Sequence, residues 1–149
     1  MLMKTHLAIA GAAALFLLNH VNNKLVFVPI VLFATLLPDI DSMHSKLGNK
    51  WYLRPMQFFT KHRGVIHSFS LCLVLAGFMA LYFPVVALPF FLGYGVHLLS
   101  DSFTVEGIRP FWPLGAEAKG KIKTGGVFEQ GIYYSFLVVC FVLILMLFF

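Results

Sequence analysis

Long apolar runs, interrupted by two polar stretches, dominate the order of residues along this chain. The runs cover residues 2–18, 25–38, 66–83, 84–100 and 132–149. Most of them approach the roughly 20 apolar residues that an α-helix needs to cross a bilayer. The pattern therefore predicts an all-α integral membrane protein with about five transmembrane helices.

The spacing of the runs predicts two local features. The run 25–38 is short, so we expect it to end near the lipid headgroups, with Asp39 at the interface. The runs 66–83 and 84–100 are separated only around Phe83, and Pro84 suits the first turn of the helix that follows. We expect these two runs to form a tight helical hairpin.

The polar stretches 41–65 and 101–131 fall on the N-terminal side of the membrane when five crossings are counted. Of the eleven Lys and Arg residues, all except Lys24 lie on that side. Basic residues concentrate in cytoplasmic loops. The charge pattern thus predicts a multi-pass cell (inner) membrane protein with a cytoplasmic N-terminus and the C-terminus on the outer side.

Composition narrows the class further. Hydrophobic residues make up 60% of the 149 residues and charged residues only 11%, which excludes an ordinary water-soluble domain. The length supports a single membrane-embedded domain, 1–149. The net charge of +5 does not indicate nucleic-acid binding, because the basic residues lie in loops that orient the helices. No pattern in the sequence indicates an oligomeric state.

On this topology, histidines and aspartates gather near the cytoplasmic ends of the helices. Ionisable groups at membrane depth are costly, and such residues are therefore candidates for function. The candidate metal ligands are His6, Asp39, Asp41, His62, His67, His97 and Asp101. His20, on the opposite side, and His44 receive no role.

Each pair within this group also has a simpler interpretation. His97 and Asp101 are four residues apart and share a helix face, so they can bind one ion or hydrogen-bond to each other. Asp39, with Asp41, offers hard oxygen ligands beside a helix end, or it caps the loop that follows. His62 and His67 lie in a basic loop that can instead contact anionic headgroups.

The donor types indicate the metal and the chemistry. Imidazole nitrogen and carboxylate oxygen suit zinc first, with manganese or iron as alternatives. Three Asp and four His exceed what one tetrahedral ion uses, so we expect one or two divalent ions that activate water for hydrolysis. Arg63 is the candidate catalytic residue because its guanidinium suits an anionic substrate, although it can also be an orientation charge.

The elements P-D-I-D from Pro38, H-R-G-x-x-H-S from His62 and H-x-x-x-D from His97 occur in this order. From His6 to about Glu129 the chain resembles the YdjM-like family, which is described as LexA-regulated, inner-membrane, metal-dependent hydrolases. That family is more loosely similar to zinc-dependent phospholipase C. The resemblance implies phosphoester hydrolysis. The location of the site at helix ends near the headgroups favours a lipid or lipid-like substrate at the cytoplasmic leaflet, with membrane lipids as partners.

Two other function classes stay open. Type-two phosphatidic acid phosphatases act without metal and share the H-x-x-x-D element, but this chain has no P-S-G-H before His67 and no suitably spaced Ser-Arg before His97. A metal-binding or transport protein without hydrolase activity is the other class. The grouping of polar residues at one membrane face argues against a conducting path.

Overall fold

The computed structural model of the chain describes residues 1–41, 51 and 64–148. Over this part of the chain it contains five α-helices and no β-strand, which confirms the all-α class. The helices are α1 (Met3–Leu17), α2 (Lys24–Leu36), α3 (Phe69–Tyr82), α4 (Pro84–Ser102) and α5 (Val127–Phe148). Short 3-10 turns follow α1 at Leu18–His20 and α2 at Pro38–Asp41.

The hairpin expected around Phe83 is confirmed, because α3 ends at Tyr82 and α4 begins with Pro84 in its first turn. Helix α3 begins later than its apolar run because Ser68 caps it. The Ser68 side chain accepts a hydrogen bond from the Leu71 amide at 3.2 Å. Polar capping rather than hydrophobicity therefore sets this boundary.

Helix α4 lies at the centre of the fold and packs against α1, α2 and α3, whereas α5 packs against α1. One apolar core joins α2, α3 and α4 through Cys72, Tyr94 and Leu98. A second core joins α1 to α2 around Ala14 and Val31. Buried alanines lie on two opposite sides of α1, Ala8 with Ala12 and Ala10 with Ala14, and permit the close helix contacts that membrane proteins favour.

Helices α2 and α4 approach each other closely at Gly93. A Cβ atom built at Gly93 lies 2.1 Å from the carbonyl oxygen of Val31, so a larger residue does not fit. The Thr35 hydroxyl bonds to both helices, donating to Val31 O at 2.7 Å or to Gly93 O at 3.1 Å. This contact fixes α2 against the half of α4 that carries His97.

Within the described residues, two helices are long and apolar enough to cross a membrane, namely α4 over Pro84–Ser102 and α5 over Val127–Leu147. Helices α1, α2 and α3 have 15, 13 and 14 residues. These lengths are below the roughly 20 residues of a full span. Five crossings, and the orientation of the termini, therefore stay a prediction.

The segment 103–126 joins α4 to α5 and is held by main-chain hydrogen bonds. Isolated β-bridges connect Thr104 with Ile122 and Ile108 with Ala118. The Phe69 amide, at the start of α3, donates to Pro110 O at 2.7 Å. The segment is thereby attached to the ends of α3 and α4 at which the polar residues lie.

Candidate metal centre

Donor side chains from four parts of the chain meet at one end of the helices. His6 comes from the start of α1, and His97 and Asp101 come from the end of α4. Asp39 lies in the turn after α2, and His67 directly precedes the cap of α3. All except Asp39, which is partly exposed, are buried.

The Asp101 carboxylate is at the centre of this cluster. Its Oδ1 lies 3.3 Å from His6 Nε2, and its Oδ2 lies 3.8 Å from His67 Nε2 and 3.7 Å from His97 Nε2. Two donors bound to the same ion at about 2.1 Å are themselves roughly 3 to 4 Å apart, depending on the coordination geometry. The observed separations therefore match donors arranged around a shared cation.

The donors form two overlapping sets that share His97. One set is His6, His97 and Asp101, and the other is Asp39, His67 and His97, with donor atoms within 4.8 Å of one another in each set. His97 Nε2 is 4.0 Å from Asp39 Oδ1. The other ring nitrogen of His97, Nδ1, is bonded to the main chain. His97 therefore offers only Nε2 to the two sets and can bind an ion in one set at a time.

The orientation of His97 is set by the main chain of α2. Its Nδ1 lies 2.7 Å from the carbonyl oxygen of Thr35, which can only accept a hydrogen bond. The neutral imidazole therefore carries its proton on Nδ1 and directs the lone pair of Nε2 toward the carboxylates. In metal-binding histidines, the ring nitrogen that does not bind the metal commonly donates a hydrogen bond from its N–H in this way.

The surroundings of His6 and His97 fit a cation better than an apolar core. The two rings stack with centroids 3.9 Å apart. His97 Nε2 and His6 Nδ1 are buried, and neither has a hydrogen-bond partner among the residues that the structure describes. Buried polar atoms are nearly always bonded, because their desolvation is otherwise uncompensated. Coordination of a cation by His97 Nε2 would compensate for one of these losses.

Burial and neighbouring charges act in opposite directions on Asp39, at the edge of the cluster. Loss of hydration on burial raises the pKa of the Asp39 carboxyl, and His6 and His67 act in the opposite direction. A positive group beside a buried carboxylate stabilises its ionised form. The amino nitrogen of Met1 already supplies such a contact to Asp101 Oδ1.

The structure brings together five of the residues proposed as ligands: His6, Asp39, His67, His97 and Asp101. The main chain of Asp41 ends the 3-10 turn that carries Asp39, but its side chain is not described. His62 and Arg63 lie outside the described residues, as does His44. His20 is exposed beyond the far end of α1, away from the cluster, as expected.

Sequence reasoning missed two residues that support the centre. Thr35 provides the carbonyl for His97, and the Tyr94 hydroxyl donates to Ile66 O at 2.5 Å, next to His67. Both are polar groups within apolar runs. Tyr94 also lies one helical turn before His97, which was the available signal.

A family model for the YdjM inner membrane protein matches residues 1–149. The chain belongs to the YdjM family. Inner membrane protein YdjM of Escherichia coli (strain K12) is 32% identical over 124 residues, covering 72% of this chain and 63% of the relative. YdjM of Shigella flexneri gives the same identity and coverage. The match thus spans less than two thirds of these relatives' length. No solved structure matches the chain.

The family and its relatives are named as inner membrane proteins, and the two long apolar helices described in this chain agree with that location. The relatives' names specify a location and no reaction. Any statement about chemistry therefore has to come from the His and Asp cluster itself.

Proposed function

We propose that this YdjM-family protein is a membrane-bound, metal-dependent hydrolase that acts on a phosphoester of a lipid or lipid-like substrate. The observation that carries the proposal is the buried meeting of three imidazoles and two carboxylates, with His97 Nε2 oriented toward both carboxylates. Ionisable residues are costly at membrane depth, so several of them brought together there indicate a functional site.

The described donors fit a divalent cation. Asp101 would hold it together with His97 and His6, or His97 would do so with His67 and Asp39. Nitrogen and oxygen donors favour zinc, with manganese or iron as alternatives, and one or two ions. Such a cation supplies Lewis acidity, which activates water and offsets charge on a phosphate oxygen.

The location of the cluster supports a lipid substrate. Asp101 and His97 lie in the last turns of α4, a helix long enough to span the bilayer, which supports a position of the cluster at the level of the headgroups. We place this end in the cytoplasmic leaflet, with five crossings, a cytoplasmic N-terminus and an outer C-terminus. Arg63 is proposed to bind the phosphate through its guanidinium fork.

A metal-binding protein without hydrolase activity is the second candidate. The complete burial of His67 and His97 favours it, because structural metal sites are closed to solvent whereas catalytic sites keep an open position. A metal-independent phosphatase is less favoured, because the convergence of His6 and His67 on Asp101 has no role in that chemistry.

The test uses full-length protein in lipid nanodiscs, with metal content and hydrolysis measured on the same samples. His97→Ala and Asp39→Ala should lose both, whereas the exposed control His20→Ala should keep both. Arg63→Ala should keep the metal and lose rate, and Arg63→Lys should recover part of it because a point charge lacks the fork. Metal without hydrolysis of any phosphoester supports the second candidate. Cleavage of a carboxylic ester or amide, lost in His97→Ala, contradicts the substrate class alone.

A further inference from the structure

Glu129 is a buried carboxylate that the proposed chemistry does not use. It lies in the first turn of α5, with only 1% of the residue exposed. Its Oε1 accepts a hydrogen bond from the Leu2 amide at 2.5 Å, and its Oε2 accepts one from the Gly125 amide at 2.5 Å. Each oxygen of Glu129 therefore serves a different part of the chain.

The bond to Gly125 has an ordinary explanation. A glutamate at the third position of a helix commonly reaches back to an amide just before the helix, which satisfies a donor that the helix leaves free. The bond to Leu2 has no such local origin. It joins residues 127 positions apart and connects the start of α5 to the start of α1.

Leu2 in turn controls the first turn of α1. Its carbonyl oxygen accepts hydrogen bonds from the Thr5 amide at 2.9 Å and from the His6 amide at 3.2 Å. Leu2 occupies the N-cap position of α1 and contributes no side-chain cap. The Glu129 carboxylate thus fixes Leu2, whose carbonyl oxygen accepts a hydrogen bond from the His6 amide.

We propose that Glu129 is a positioning residue for the metal centre, because it anchors the start of α1 and so holds His6 against Asp101 and His97. His6 Nε2 is 3.3 Å from Asp101 Oδ1 and its ring stacks on His97, so a small shift of α1 changes both contacts. Glu129 itself does not bind the cation. The inference rests on the proposed function only where it concerns the metal.

The first measurement is zinc affinity, determined by chelator competition on the full-length protein. Glu129→Gln keeps one carbonyl oxygen, so it can accept from Gly125 or from Leu2 but not from both. We expect zinc binding about tenfold weaker, at the lower end of what loss of an outer-shell contact causes. The control is Glu106→Gln, the same change at an exposed glutamate of the joining segment, and it should retain wild-type affinity.

A double-mutant cycle separates positioning from general destabilisation. If Glu129 acts through His6, then Glu129→Gln should weaken zinc binding in the wild-type background and add nothing in a His6→Ala background. With cobalt substituted for zinc, Glu129→Gln should shift the visible spectrum from that of the wild type toward that of His6→Ala. Equal weakening in the two backgrounds would mean a merely structural role and overturn the inference.

Hydrogen exchange of metal-free protein tests the anchor by itself. Glu129→Gln should speed exchange of the amides of residues 2–6, and Glu106→Gln should not. Unchanged exchange in Glu129→Gln refutes the anchor even if metal binding is found. A wild-type protein that binds no divalent ion defeats the proposed function and the ligand role of His6, while the exchange result still decides whether Glu129 holds α1.

Discussion

Helices α4 and α5 are both long and apolar enough to cross a membrane, but their surroundings are opposite. In α4, 44% of the apolar stretch is buried within the protein, and in α5 none of it is. Helix α4 contacts three other helices and carries His97 and Asp101, whereas α5 packs against α1, and its one buried residue between 127 and 147 is Glu129. Hydropathy makes both helices candidate spans, but of the two only the helix that protein surrounds carries candidate metal ligands.

Glycine substitutions should give the largest difference between the two helices. In Gly93→Ala the new Cβ meets Val31 O at 2.1 Å, so α2 and α4 must separate. We expect a loss of about 3 kcal/mol in the free energy of unfolding, the upper range for overpacking, together with weaker metal binding. Chemical denaturation in detergent, with metal titration, measures both.

Gly131→Ala in α5 is the matched control. A Cβ at Gly131 has no neighbour within 4 Å among the described residues, so stability and metal binding should stay at or slightly above the wild-type level. Comparable damage from the two substitutions would contradict the contrast between α4 and α5.

Removal of metal should expose the same contrast. Free metal at 100 times its Kd stabilises the folded state by about 2.7 kcal/mol. The wild-type protein should therefore melt at a lower temperature after chelation, and His97→Ala should not respond. Hydrogen exchange should quicken at the end of α4 that bears Asp101 and remain unchanged in the second half of α5. A uniform response along both helices would place the metal elsewhere.

Tyrosine hydroxyls offer a finer comparison. Tyr94→Phe removes the hydrogen bond to Ile66 O and should cost about 1 kcal/mol, with faster exchange around His67. Tyr134 in α5 is 62% exposed, so Tyr134→Phe should leave both quantities unchanged. An effect of similar size at Tyr134 would show that α5 has a protein partner on that face.

The smallest effect concerns Glu117, in the segment that joins the two helices. Hydrogen bonds from Lys119 and then Arg109 lower the pKa of Glu117. Since the folded pKa is depressed, its contribution is complete above the ordinary glutamate pKa and is lost as pH falls through the folded value. An NMR titration of the Glu117 carboxyl should show a low midpoint that rises in Lys119→Ala. An unchanged midpoint would rule out the pair.

Hydropathy predicted the number and order of the described helices, because each apolar run is long enough to be recognised as a helix from the sequence. It placed the starts of α3 and α5 less well, since these depend on Ser68 and on the Gly125 contact of Glu129. Such caps are single polar contacts that add almost nothing to the hydropathy of a window. Whether α1, α2 and α3 cross the membrane stays a prediction, because the length of these helices alone does not decide it.

The candidate site was predictable where helix periodicity determines it. The four-residue spacing of His97 and Asp101 places both side chains on one face, and counting crossings placed His6 and His67 at the same end. The supporting role of Thr35 was not predictable, because its carbonyl reaches His97 only through the close approach at Gly93. Main-chain partners of this kind depend on tertiary packing and leave no side-chain pattern.

The approach at Gly93 also determines which parts of the molecule are able to move. Val31 O lies against Gly93 and Thr35 bonds to both helices, so α2 and α4 behave as one rigid body that carries His97 with its carbonyl partner. Opening or closing of the described cluster therefore falls to α1, which brings His6, and to the segment before α3, which brings His67. Among the described elements, α1 and residues 64–68 are therefore the ones that we expect to shift when a ligand enters the centre, while the α2–α4 pair stays intact.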